Sequence, residues 1–167
     1  MKDCILRIAV TSLLLLGAGL AAFADENDFT VNGFNYRIIT EETVTLTGCR
    51  DNMYNAIIPE TISYNGQNYS VTEIDYGALN TKKIIYCTIP NSVTKIGPCA
   101  FQSCHDLVQV IMGNSLLEIE MAAFDDCPKL TDVTLSSSLT TIGNGAFDKC
   151  SSLKDISIPK SVITIGT

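Results

Sequence analysis

The chain has 167 residues, a formal net charge of −7 at pH 7, 46% hydrophobic residues and a single histidine. An acidic chain of this kind is a poor match for nucleic acid or an anionic membrane surface. One histidine leaves little for imidazole-based catalysis.

The first residues set the compartment. Lys2 and Arg7 stand beside an apolar run over 8–16, and Ala22-Phe23-Ala24 supplies small residues of the kind a signal peptidase accepts. This predicts a secretory signal over 1–24, cleaved near Ala24, and a secreted or cell-surface product. The run is barely long enough to span a bilayer and meets Asp25, Glu26 and Asp28 at once, so no membrane-spanning segment is expected in the mature chain. Loss of two bases (Lys2, Arg7) and one acid (Asp3) takes the charge from −7 to −8.

Residues 25–66 show extended stretches at 34–39 and 43–47, with turn signals at Asn32-Gly33 and Asn65-Gly66. They read as a β-rich cap that covers one open end of a repeat array. Residues 67–167 read as that array, a solenoid, because the chain from Ile89 matches itself at a shift of 23. Phe101, Phe124 and Phe147 recur, as do Cys104, Cys127 and Cys150; Leu107, Leu130 and Leu153; Val110, Val133 and Ile156; and Ile119, Ile142 and Ile165. The pattern Leu107-x-x-Val110-x-Met112 ends in the alternation of a short strand, which buries its apolar side only by stacking on copies of itself. The pairs Ala100-Phe101, Ala123-Phe124 and Ala146-Phe147 predict an internal aromatic stack. An earlier unit (Val71, Ile74, Ala78-Leu79, Ile84, Cys87, Ile89) runs one residue short and makes Cys87 an equivalent of Val110. The sequence stops at Thr167 inside a fourth unit, so an array continuing beyond it, or a covering partner, is expected.

The units from Ile89-Pro90-Asn91-Ser92-Val93-Thr94-Lys95-Ile96-Gly97 to Leu107, and from Leu139 through Ile142-Gly143 and Ala146-Phe147 to Leu153, resemble the BspA-type leucine-rich repeats. The lead-in Tyr64-Asn65-Gly66-Gln67-Asn68-Tyr69 is similar to what precedes the first repeat in such proteins. The resemblance implies a right-handed leucine-rich-repeat coil of 23-residue units with an N-terminal β cap. It also implies a secreted or surface protein that adheres to host extracellular-matrix proteins, to cell-surface proteins or to other cells. Members share no catalytic residues, so none is carried over. Glu120 departs from the pattern, standing where the neighbouring units have Gly97 and Gly143, and suggests that this turn does not need a positive φ.

By alignment, the side chains leaving the exposed face of the strand ladder are Tyr86 and Thr88, Gln109 and Ile111, Asp132 and Thr134, and Asp155 and Ser157. These are the candidate binding residues, with Tyr86 and Ile111 forming an apolar patch and Asp132 and Asp155 an acidic one. Cys104, Cys127 and Cys150 hold equivalent places and read as buried free thiols; a Cys99 to Cys104 bridge and a Cys99, Cys104 and His105 zinc site rank below that. Ser92, Ser115, Ser138 and Ser161 read as hydroxyls bonding the backbone of the turn after each strand. His105 falls at a turn position filled by Pro128 and Ser151 in the next units, and no nucleophile elbow or phosphate loop is present. The expectation is a non-enzymatic module with no cofactor and no metal, binding a protein partner. A structural or spacer role without binding is the alternative.

Overall fold

The computed structural model describes residues 28–167; the signal segment 1–24 and its cleavage point lie outside the described residues. Those residues form a β-solenoid. Its strands are β1 (Asp28–Val31), β2 (Phe34–Ile38), β3 (Thr43–Cys49), β4 (Asn55–Ile57), β5 (Thr61–Tyr64), β6 (Gln67–Ile74), β7 (Tyr86–Ile89), β8 (Lys95–Ile96), β9 (Gln109–Met112), β10 (Glu118–Ile119), β11 (Asp132–Thr134), β12 (Thr141–Ile142) and β13 (Thr164–Ile165). One sheet runs β1-β2-β3-β6-β8-β10-β12-β13, with β5 added to β6, and the other runs β11-β9-β7-β4.

The 23-residue repeat becomes parallel pairing in strict register. Ile74 pairs with Ile96, Ile96 with Ile119, Ile119 with Ile142, and Ile142 with Ile165. The second sheet aligns Ala56, Cys87, Val110 and Val133 in the same way, which places Cys87 opposite Val110. Each coil therefore covers the apolar side of the next, which a lone strand of two to four residues has no means of doing. Between the sheets, Phe101, Phe124 and Phe147 stack with ring centroids 4.8 and 5.2 Å apart and interplanar angles of 13° and 2°. Ala100, Ala123 and Ala146 are buried beside them.

The N-terminal region is mainly antiparallel. Type I′ geometry at Asn32-Gly33 (φ 53° and 82°) and Asn65-Gly66 (φ 51° and 80°) closes the β1–β2 and β5–β6 hairpins. Phe29 stacks on Tyr64 at 3.9 Å and packs near Tyr36 and Tyr69, while β3 joins β6 in parallel and sets Leu46 beside Ile74. The second ladder begins at β4, within the stretch 25–66.

The third side of each coil is a turn with its own ladder. The N–H groups of Cys99, Phe101 and Ser103 donate to the carbonyls of Met121, Ala123 and Asp125 in the next coil, and Ala122, Phe124 and Asp126 repeat this to Asn144, Ala146 and Asp148. Two residues per coil adopt left-handed φ to aim those groups along the axis: Gly77 and Thr81, Cys99 and Ser103, Ala122 and Asp126, Gly145 and Lys149, all between 54° and 58° or at 59° for Gly145. A left-handed residue with a Cβ costs about 1–2 kcal/mol, against about 0.5–1 kcal/mol for the extra chain entropy of glycine. Ala122→Gly is accordingly expected to raise stability by up to about 1 kcal/mol, read as a higher urea midpoint. A lowered midpoint would show that the alanine methyl matters more than the backbone strain.

The glycine column has a different cause. Gly97 and Gly143 lack positive φ, as Glu120 in their place suggested, yet an added Cβ would lie 2.8 Å from the Ile74 carbonyl oxygen or 2.6 Å from the Glu120 carbonyl carbon. Close approach of neighbouring coils selects glycine here. Glu120, flanked by both glycines, turns outward to Lys95 at 2.9 Å.

Two expectations need correction. Residues 154–158 form no strand, so Asp155 and Ser157 are not on a fourth rung; Ile158 is 44% exposed where its equivalent Met112 is buried. In the expected register Asp155 would face the like charge of Asp132. The serine column does not bond the turn either: the hydroxyls of Ser92 and Ser161 are buried without partners. The main chain already closes those turns, as Val93 N–H donates to the Pro90 carbonyl and Val162 N–H to that of Pro159. The coils are linked instead by the preceding residue: the Asn114 N–H donates to Asn91 Oδ1 at 2.7 Å, and the Ser137 hydroxyl lies 3.3 Å from Asn114 Oδ1.

Candidate functional site

The outer face of β4, β7, β9 and β11 presents two columns of side chains. Register pairs Asn55 with Tyr86, Tyr86 with Gln109, and Gln109 with Asp132; alongside run Ile57, Thr88, Ile111 and Thr134. Strand alternation sends these outward while Ala56, Cys87 and Val110 point in and are buried. Six of the eight candidate residues (Tyr86, Thr88, Gln109, Ile111, Asp132 and Thr134) thus share one face. Gln109 donates an N–H of its amide to Asp132.

Two residues of this face were not foreseen. Asn55 and Ile57 extend it by one rung, with the Ile85 N–H donating to the Tyr54 carbonyl at 2.7 Å and the Ile58 N–H to that of Thr88 at 3.0 Å. The signal was present in Ile58-Pro59, which matches Ile89-Pro90, but at a spacing of 31 residues. The β5–β6 hairpin fills the difference.

The remaining candidates scatter. His105 points outward, its Nε2 3.0 Å from Asp126 Oδ2, and this contact holds the Asp126 carboxyl below the usual range. Ser103 donates to the same carboxylate at 3.2 Å, so hydroxyl and imidazole meet the acid and not each other as nucleophile and base must. Cys104, Cys127 and Cys150 turn inward, and each thiol donates to the carbonyl of the Leu79, Phe101 or Phe124 one coil earlier, at 3.0, 3.2 and 3.1 Å. Cys104 and His105 therefore diverge, and all six cysteines from Cys49 to Cys150 are free thiols. Among the described residues no group of three or more His, Cys, Asp or Glu is arranged to hold a metal, and no helix is long and apolar enough to cross a membrane.

Comparison with known proteins fits this geometry. The BspA type leucine rich repeat region matches residues 72–167 in six copies. A search of the curated proteins returns no match. Among solved structures, a leucine-rich repeat protein from Bacteroides ovatus is 31% identical with a TM-score of 0.76, covering 83% of this chain and 37% of that one. A leucine rich repeat protein of T. pallidum is 27% identical with a TM-score of 0.75, over 84% and 64% of the two chains. A leucine rich cell surface protein from Faecalibacterium prausnitzii shares the fold at 22% identity and a TM-score of 0.59, over 84% and 50%. The chain thus spans less than two thirds of these relatives' lengths. The repeat that stacks Phe101 on Phe124 and Ile96 on Ile119 is the one that the family match describes, over more than half of the sequence: this chain belongs to the BspA-type leucine-rich-repeat family.

Proposed function

We propose that this chain is an exported, surface-displayed binding module that recognises a protein partner through the outer face of β4, β7, β9 and β11. Export rests on the signal segment ending near Ala24. One observation carries the binding reading: Ile57, Tyr86 and Ile111 are held exposed on successive rungs of a hydrogen-bonded ladder, so a partner finds apolar anchors already in place. Residues 28–49, with the Phe29, Tyr36, Tyr64 and Tyr69 cluster behind them, act as the cover of the first coil.

The test is saturable binding of the purified chain to immobilised extracellular-matrix proteins and to whole cells. Tyr86→Ala and Ile111→Asp are expected to weaken it tenfold or more, the size of effect that anchor residues show, with unchanged circular dichroism. Binding that survives both variants would move the site off this face. Absence of binding to every probe would favour the spacer role.

A further inference from the structure

The candidate face is graded from one end to the other. Ile57 on the β4 rung, Tyr86 on β7 and Ile111 on β9 are 62%, 49% and 41% exposed. Going on toward β11 the equivalent positions turn polar, to Asp132 and Thr134. Isoleucine and tyrosine side chains left this open gain by accepting a cover, since burial takes their apolar surface out of water.

The acidic end is open as well. Four of the lysines elsewhere are taken: Lys82 pairs with Asp51, Lys129 with Asp106, Lys149 with Asp125, and Lys95 with Glu120. Among the described residues Asp132 forms no ion pair and receives only the Gln109 amide. On the other sheet a lysine stands among the acids, since Lys95 is in register between Glu73 and Glu118 and pairs with Glu120. A cation arriving at the Asp132 end meets a carboxylate with no charged partner to displace.

We propose that this face is a two-part docking surface for an extended protein segment with bulky apolar side chains at one end and lysine or arginine at the other. The assignment rests on the binding module proposed for the same face and supplies the chemistry of its partner. Rungs about 4.8 Å apart put β4 and β11 about 14 Å from each other, which extended chain crosses in about four residues. The segment accordingly lies across the strands, its apolar residues over Ile57, Tyr86 and Ile111 and its basic residue, about four positions on, over Asp132.

Panning a random peptide library displayed on phage against the purified full chain tests this without assuming a ligand. The enriched peptides are expected to carry an aromatic or branched aliphatic residue about four positions from lysine or arginine. Binding should fall at least tenfold in Ile57→Asp at any ionic strength, while Asp132→Lys should weaken binding at low salt and abolish its salt dependence. Enriched peptides that are acidic, or that bind both variants as well as the parent, overturn the proposal. If matrix proteins are held but no peptide is enriched, the docking chemistry fails and the binding module stands. If neither is held, both fail together.

Discussion

Phe124→Ala is expected to cost about 3–5 kcal/mol of unfolding free energy, the range for emptying a buried aromatic site, whereas Phe147→Ala should cost clearly less. Phe124 is fully buried with a ring on each side, at 4.8 and 5.2 Å, while Phe147 is only partly buried and stacks on one side. Removing the middle ring weakens two coil junctions, and in a repeat array stability is close to a sum over units and junctions. Urea unfolding followed by circular dichroism measures both variants. Equal losses, or a loss below about 1 kcal/mol at Phe124, would mean that the rings do not couple the coils.

The second large effect is alkaline destabilisation. Burial pushes the Cys104 thiol up from an ordinary value of 9.0 to about 12, and burial pushes Cys87 up as well. A raised folded-state value means that the unfolded chain releases its proton first as pH rises, so the thiols' contribution is complete below about pH 9 and is lost between there and pH 12. For Cys104 alone that amounts to about 4 kcal/mol by pH 12 at about 1.4 kcal/mol per unit. Urea midpoints in the presence of a reductant should fall steadily above pH 9, and Cys104→Ala should flatten the fall even though it lowers stability at pH 7. Stability that holds constant from pH 8 to pH 11 would show that the thiols ionise freely in the folded chain.

Much of this was legible because a solenoid writes its contacts into its period. The matching of Phe101, Phe124 and Phe147 at one shift is a statement about which residues touch, and those rings lie one on the next. The face residues followed from alternation within β7, β9 and β11. What escaped was whatever breaks the period. The hairpin of β5 and β6 separates Ile58-Pro59 from its equivalent and hid the rung that contributes Asn55 and Ile57. The rung expected at 155–157 was lost because periodicity reports the tendency to pair, not the like charges that Asp132 and Asp155 would set opposite each other. The serine column misled for a simpler reason: its recurrence marks a place in the coil, and the turn its hydroxyls were expected to bond is already closed by the main chain through Val93 or Val162.

The turn ladder makes the molecule polar in the sense that a filament is polar. From Gly77 onward each donor on that flank points toward the following coil and each acceptor toward the preceding one: Gly77 to Pro98, Cys99 to Met121, Ala122 to Asn144 and Gly145 to Thr167. Peptide units facing the same way add their dipoles of about 3.5 D instead of cancelling them. Two such flanks brought end to end therefore join only head to tail, because reversing one would set donors against donors. A whole coil, by contrast, can be spliced in or taken out with every junction still matched, so the length of such a rod changes in steps of one turn without a new interface having to be invented.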